Sequence, residues 1–378
     1  MTEPGLRAAR ALHQESPLGR TLVGTTLLSA VVLGLCLLGL VLSTTSLVQI
    51  FLINIVAVVG LGIFTGNSGV LSFGHAGFMA IGAYVSGLLS MDSAIRTSEL
   101  RLFPSALSGL HAPFVPGILF GVGVTGLVAA VFGLAVGRLP RDPASITTLG
   151  VLVIVNSVLL GADQITGGAL PLYGVHLLVS WKITLFIALG TIAFARYFRE
   201  SRWGLQLRAT REDELAASAL GANLRSLRRI AWVLSAMFAG LAGLLLGHFL
   251  GAFSPSQFYL TTTIALVAML IVGGATTVTG AVVGTALITV VNEFLSRIES
   301  GANLGLFHLP ELFGLPTLGV ALCLLLTMYF RRDGLIGRRE IDVMLSYALA
   351  RGRPTREDDD VRLVSSPPAP RYETGSRA

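Results

Sequence analysis

The stretch from Ile230 to Asn292 reads IAWVLSAMFAGLAGLLLGHFLGAFSPSQFYLTTTIALVAMLIVGGATTVTGAVVGTALITVVN and contains no Asp, Glu, Lys or Arg. One helical crossing of a bilayer takes about 20 apolar residues, so this run holds three spans, set near 230–251, 260–273 and 278–296. Working outward, Thr21 to Met91 and Leu102 to Gly137 are equally free of charge. The three runs together hold seven or more spans. The chain has 378 residues, 53% apolar and only 13% charged, with a mean hydropathy of +0.76. A soluble domain carries about 25% charged residues, so a water-soluble protein with a single core is excluded. A transmembrane barrel would show short alternating segments, and these runs are continuous. The fold class is all-α: a polytopic membrane helix bundle of about ten transmembrane helices.

The remaining spans are expected near 21–43, 47–64, 70–91, 113–137, 145–161, 183–198 and 312–330. The first is too long for a signal-peptide core and is followed by further spans, so it reads as a retained helix. Ten spans put both termini on one side. That side carries 23 Lys and Arg, against four on the other: Arg96, Arg101, Lys182 and Arg297. Such a bias makes the rich side cytoplasmic, and it assigns the net charge of +6 to topology rather than to nucleic-acid binding. The expected division is a cytoplasmic segment 1–20, a permease domain 21–330 and a cytoplasmic tail 331–378. In the tail, Ile341, Val343, Met344, Tyr347 and Ala348 have the spacing of a short surface helix, and the composition from Arg351 onward is that of a disordered segment.

Outside the spans the most informative segment is the cytoplasmic loop 199–229. Thr210 is placed to cap a helix over about Arg211 to Leu220, Glu212, Asp213 and Glu214 favour its positive end, and Gly221 supplies a left-handed stop. Asn223 then caps a second helix that merges into the seventh span. A mere connector needs no such construction, so the loop reads as a docking surface. Small residues recur at four-residue intervals, at Ser72, Ala76, Ala80 and Ala83, at Gly243, Gly247 and Gly251, and at Thr276, Gly280 and Gly284, which marks closely packed helices. Gly66-Asn67-Ser68-Gly69 interrupts an apolar stretch; it is either irregular backbone within the bilayer or the turn between two spans.

Little in the chain suggests bond chemistry. A phosphate-binding loop needs Gly-x-x-x-x-Gly-Lys-Ser/Thr, and the single lysine, Lys182, lies between Trp181 and Ile183. Any ATPase is therefore a separate chain. Cys36 and Cys323 sit inside apolar runs as small hydrophobes, and the six histidines show no ligand spacing, so no metal, cofactor or catalytic residue is expected. Glu293 reads as a helix-end carboxylate rather than part of a proton relay. An intramembrane serine protease built on Ser68 with His248 as base is a competing pattern, as is an ion-coupled carrier.

Several stretches together resemble the permease subunits of bacterial ABC importers for branched-chain amino acids, of the LivM type. These are Leu71-Ser72-Phe73-Gly74-His75-Ala76-Gly77-Phe78 with Ile81-Gly82-Ala83-Tyr84, Thr166-Gly167-Gly168, Arg211-Glu212-Asp213-Glu214-Leu215-Ala216-Ala217 ending in Gly221, and Val272-Gly273-Gly274 with Thr279-Gly280-Ala281 to Gly284. They occur in family order over Ser46 to Arg297. The third is similar to the family's EAA loop, though the trailing Leu-Pro of that pattern is missing. Ala169-Leu170-Pro171-Leu172-Tyr173 stands where relatives often have Ser-Asp-Gly, and relatives also carry urea and other small polar solutes. The resemblance implies a multi-pass subunit of the bacterial inner membrane that imports branched-chain amino acids or a similar solute. Its implied partners are a second, LivH-like permease, two ABC ATPases, an extracytoplasmic solute-binding protein and membrane lipid. It implies that Arg211, Glu214, Ala216, Ala217 and Gly221 form the ATPase-coupling helix, and that Ser72, Gly74, His75 and Gly77 lie near the solute path.

Overall fold

A computed structural model describes residues 17–42, 45–91, 114–299, 314–337 and 340–342. Its elements are α1 (Pro17–Leu42), α2 (Thr45–Ser68), α3 (His75–Ser90), α4 (Phe114–Val136), α5 (Arg141–Gly161), α6 (Asp163–Thr166), α7 (Trp181–Glu200), α8 (Arg202–Glu212), α9 (Glu214–Ala219), α10 (Leu224–Leu250), α11 (Leu260–Gly273), α12 (Val278–Glu299) and α13 (Leu315–Phe330). Eight of these are long and apolar enough to cross a membrane, counting α11 with the one-turn 3₁₀ segment that precedes it; α3 and α13, at 16 residues each, are shorter. Among the described residues the sole extended pairing is one antiparallel bridge between Leu172 and Phe253. The expected surface helix of the tail falls almost wholly outside the described residues, as do the loop 92–113 and the segment from Arg351 onward.

The contacts sort the connections onto two ends. At one end, here the near end, Arg211 donates to Gly66 O (2.9 Å), Arg141 to Arg211 O (2.7 Å) and Arg228 to Leu139 O (3.0 Å). These bonds gather the α2–α3 break, the α4–α5 turn and the 199–229 loop. At the far end Gln49 donates to Val179 O (2.8 Å), Val175 N to Gly251 O (3.2 Å) and His176 Nδ1 to Ser90 O (2.6 Å). Gly24 lies against the Arg196 guanidinium and Glu340 pairs with the same group, so both outer parts of the described chain meet at the near end. α3 begins at His75 rather than near residue 70, because Gly69 turns left-handed (φ 71°) and 69–74 run without helix.

α10 is the central helix and packs along α2, α3 and α4. Its approach to α3 is backbone against backbone: a Cβ on Gly243 would stand 1.9 Å from Met79 O, and one on Gly82 2.0 Å from Gly240 O. This is the close contact that the small-residue spacing implies. Trp232 of α10 then fills the space between α2 and α3, edge-on to Phe64, Phe78 and His75 at 5.2 to 5.4 Å. Outward-facing Leu119, Leu127, Val131, Ile146, Val158, Leu318 and Leu325 are exposed. Large apolar patches of this kind are rare in water-facing monomers and are ordinary against lipid tails.

Candidate functional site

The 199–229 loop folds as two helices before α10, not one. Ser201 caps α8, its Oγ accepting from Gly204 N, and α8 runs through the expected start of the docking helix to Glu212. The cap of the second helix is Asp213 rather than Thr210. Its backbone is extended (φ −149°), and its Oδ1 accepts from Leu215 N (2.8 Å) and Ala216 N (3.0 Å). Thr210 instead turns its hydroxyl back to Leu207 O (2.7 Å). A capping carboxylate outranks a threonine hydroxyl, which moves the boundary by three residues. The stop is as expected: Gly221 adopts φ 88°, and Ala222 N closes on Ala217 O at 3.1 Å. Asn223 Oδ1 caps α10 by accepting from Ser226 N (3.2 Å).

The resulting knob is anchored from within. Arg228 is 2% exposed and grips Glu214 from the first turns of α10, while Ala217 is buried in the joint. Arg211 lies along Gly69 and reaches the carbonyl of Gly66, so the knob holds the end of α2. Opposite these anchors, Leu215 and Leu220 are 85% and 89% exposed, with Ala216 beside them on the open side. A groove of about 570 Å³, lined by Arg138, Glu214, Ser218, Asn223 and Arg225, separates the knob from the α4–α5 turn. Of the five residues expected to couple, Arg211, Glu214 and Ala217 hold the knob from within, while Ala216 and the turn residue Gly221 are exposed. The two leucines and Arg228 were not singled out from sequence. The available signal was a pair of leucines, Leu215 and Leu220, on a short alanine-rich helix and its C-terminal cap in a segment otherwise rich in charge.

Ser72, Gly74, His75 and Gly77 come together in a closed joint of α3, α5 and α10. Ser235 Oγ gives its one proton to Gly60 O (2.7 Å), so it accepts from His75 Nε2–H. His75 Nδ1 then accepts from Ser72 Oγ (2.7 Å). Phe73 N donates to Thr148 Oγ1 (3.0 Å), Gly74 meets Thr148 O, and Gly77 faces Leu152 and Val155. At the far end of the same helix pair the tautomer is reversed. His248 Nδ1–H donates to His176 O (2.8 Å), which leaves Nε2 to accept from Ser86 Oγ (2.6 Å). Both rings thus have both nitrogens engaged as neutral imidazoles. Ser86 lies eleven residues along α3 from His75, roughly 16 Å, whereas Ser68 bonds Phe64 O at the near end. Ser68 and His248 therefore cannot act together. Glu293 pairs with Arg297 (2.8 Å) toward the far end of α12, as a helix-end carboxylate.

A family profile described as "Branched-chain amino acid transport system / permease component" matches residues 42–325. The chain is similar to the high-affinity branched-chain amino acid transport system permease protein LivM of Escherichia coli, with 25% identity over 82% of this chain and 73% of that protein. Its likeness to the LivH permease protein of the corresponding system of Salmonella typhimurium is 27% over 61% of this chain and 77% of the relative. It is also 27% identical to the guanosine ABC transporter permease protein NupQ of Bacillus subtilis, over 48% of this chain and 60% of that one. No solved structure matches the chain.

Proposed function

The chain belongs to the permease-component family of branched-chain amino acid transport systems, and from that premise we propose that it is a multi-pass inner-membrane subunit of an ATP-driven importer for branched-chain amino acids. A second, LivH-like permease completes the path, two ABC ATPases hydrolyse ATP on the cytoplasmic side, and an extracytoplasmic binding protein delivers the solute. The near end is cytoplasmic, 21–330 form the permease domain, and 1–20 and 331–378 flank it. The observation that carries this reading is the knob: a capped helix pair, pinned from inside and bearing Leu215 and Leu220 on its free side.

The mechanism follows from those anchors. When the ATPases close on α9, Arg211 pulls the end of α2 through Gly66 O, and the Glu214–Arg228 pair pulls α10. Because His75 and Ser235 lock α3 to α10 and α10 in turn to Gly60 of α2, the three helices shift together. ATP binding thus supplies the differential contact that any two-state switch needs. Ser72, Gly74, His75 and Gly77 act in this scheme as the joint beside the solute path. Affinity for the solute resides in the binding protein, so no buried charge is needed to grip a zwitterion.

The test is radiolabelled leucine uptake in cells lacking the gene, complemented with the wild-type chain, L215E or E214Q, with membrane levels checked. Restoration by wild type and loss of uptake of about 10-fold or more in L215E, the effect of roughly 1.4 kcal/mol of lost docking, is expected. Normal uptake by L215E overturns the docking role, and failure of wild type overturns the cargo. The likeness to a guanosine permease makes guanosine the competing cargo, to be run as labelled substrate beside leucine.

A further inference from the structure

Past α13 the chain turns back across the near end. Leu335 N donates to Val272 O (2.9 Å) and Ile336 N to Gly273 O (3.1 Å), which lays this arm along the end of α11. A few residues on, Glu340 is 7% exposed. Its Oε1 accepts from Val278 N (2.9 Å), and its Oε2 from Thr279 N (3.1 Å) and Thr279 Oγ1 (2.6 Å). These donors form the first turn of α12, where unpaired N–H groups and the helix dipole favour an anion. Arg196 Nη1 donates to Oε2 at 3.1 Å, Arg199 Nε lies 3.2 Å from Oε1, and Asp342 adds a second carboxylate 3.2 Å from Arg196 Nη2.

Both arginines belong to the last turns of α7, which runs directly into α8. Arg199 also donates to Thr276 O in the α11–α12 turn, and its own carbonyl accepts from Arg208 of α8 (2.9 Å). One carboxylate therefore joins three parts of the chain that are distant in sequence. Stability alone does not call for this arrangement, since a buried ion pair seldom outperforms an apolar contact of the same volume. Its distinguishing property is geometric: it fixes the base of the knob to the start of α12, a helix that the Arg211 and Arg228 anchors do not reach.

We propose that Glu340 is a positioning residue of the transport cycle, clamping the end of α7 to the start of α12 so that movement of the knob is transmitted to α11 and α12 as well as to α2 and α10. The proposal rests on the importer reading above. For the test, the full chain is reconstituted in vesicles with its cognate partner subunits, and leucine uptake and ATP hydrolysis are measured in the same sample. In E340Q, ATP consumed per leucine imported rises by about 5-fold or more, the lower end of typical coupling effects, while hydrolysis persists. E340D falls between, and E293Q at the far end matches wild type. An unchanged ratio in E340Q, whether both activities persist or both fall, overturns the proposal. A second readout is independent of cargo. With C36A and C323A removing the native thiols, I341C in inside-out vesicles is labelled by a maleimide several-fold faster when E340Q is present; equal rates overturn the clamp. A wild-type complex that hydrolyses ATP but moves no leucine refutes the cargo reading alone, and the labelling then decides on Glu340.

Discussion

At the scale of single residues, hydrogen-bond accounting separates structure from chemistry. Ser235 is fully buried and serves two partners, Gly60 O and His75. S235A therefore leaves the His75 imidazole N–H unpaired in the interior, at about 1–3 kcal/mol for the orphaned group, while Gly60 O loses a second donor but keeps its bond within α2. The expected result is a lower melting temperature in detergent; a melting curve equal to wild type would show that water or a shifted ring replaces the hydroxyl. Glu340 lies outside the spans, and its titration has a defined sign. Burial alone raises its carboxyl, but the Arg199 and Arg196 guanidiniums, with the Thr279 and Val278 donors, outweigh burial and hold it below its ordinary 4.5. The carboxylate's contribution is thus fully present above pH 4.5 and is lost as pH falls through the lowered value. Because breaking a buried pair costs about 3–5 kcal/mol, E340Q is expected to be less stable at neutral pH and to lose the acid-limb slope that wild type shows. Parallel pH profiles for the two proteins would contradict this assignment.

At the scale of elements, the helix contacts are set by what glycine omits. The α3–α10 seam is fixed where Gly243 meets Met79 O and Gly82 meets Gly240 O. G243A places a methyl group against backbone that cannot retract, and overpacking of this kind costs about 1–3 kcal/mol. Reduced yield of monodisperse protein is expected. G190A on α7, where nothing lies within 4 Å of the added carbon, should behave as wild type in the same assay. The four-residue spacing of small residues made this seam legible in the sequence. The docking helix was legible in kind but not in bounds, because Thr210 and Asp213 both satisfy the capping pattern and the choice between them depends on the extended backbone at Asp213. Gly221 and Asn223 had no such rival, and each stands where the pattern put it.

At the scale of the whole molecule, charge-free runs were enough to give an all-helical membrane bundle, because about 20 uncharged residues have few other stable uses. Contacts between distant loops were not legible. Nothing in the composition of the tail marked Glu340 as the partner of Arg196 and Arg199 more than 140 positions earlier. For His75 the sequence offered a hydrogen-bonded interior residue and a lining residue, and it did not name Ser72 and Ser235 as the partners, since a helical face does not state which neighbour covers it. The side assignment is testable across the whole chain. Single cysteines at Ser218 and Asn223 should react with an impermeant maleimide only in inside-out vesicles, and one at Leu170 only in intact cells or spheroplasts. The opposite pattern would invert the topology that the basic residues predict.

The bond from Arg211 to Gly66 has a genetic corollary. Its acceptor is a main-chain oxygen, which no side chain at position 66 can replace, and a Cβ there would stand 2.5 Å from Ala275 O, so the codon offers no substitute for the lost donor. A strain crippled by R211A therefore has no compensating allele to find at residue 66. Second-site revertants selected on limiting leucine should instead map to residues that press the knob onto α2 by other means, with Arg141, already bonded to the carbonyl of residue 211, among the first positions to sequence.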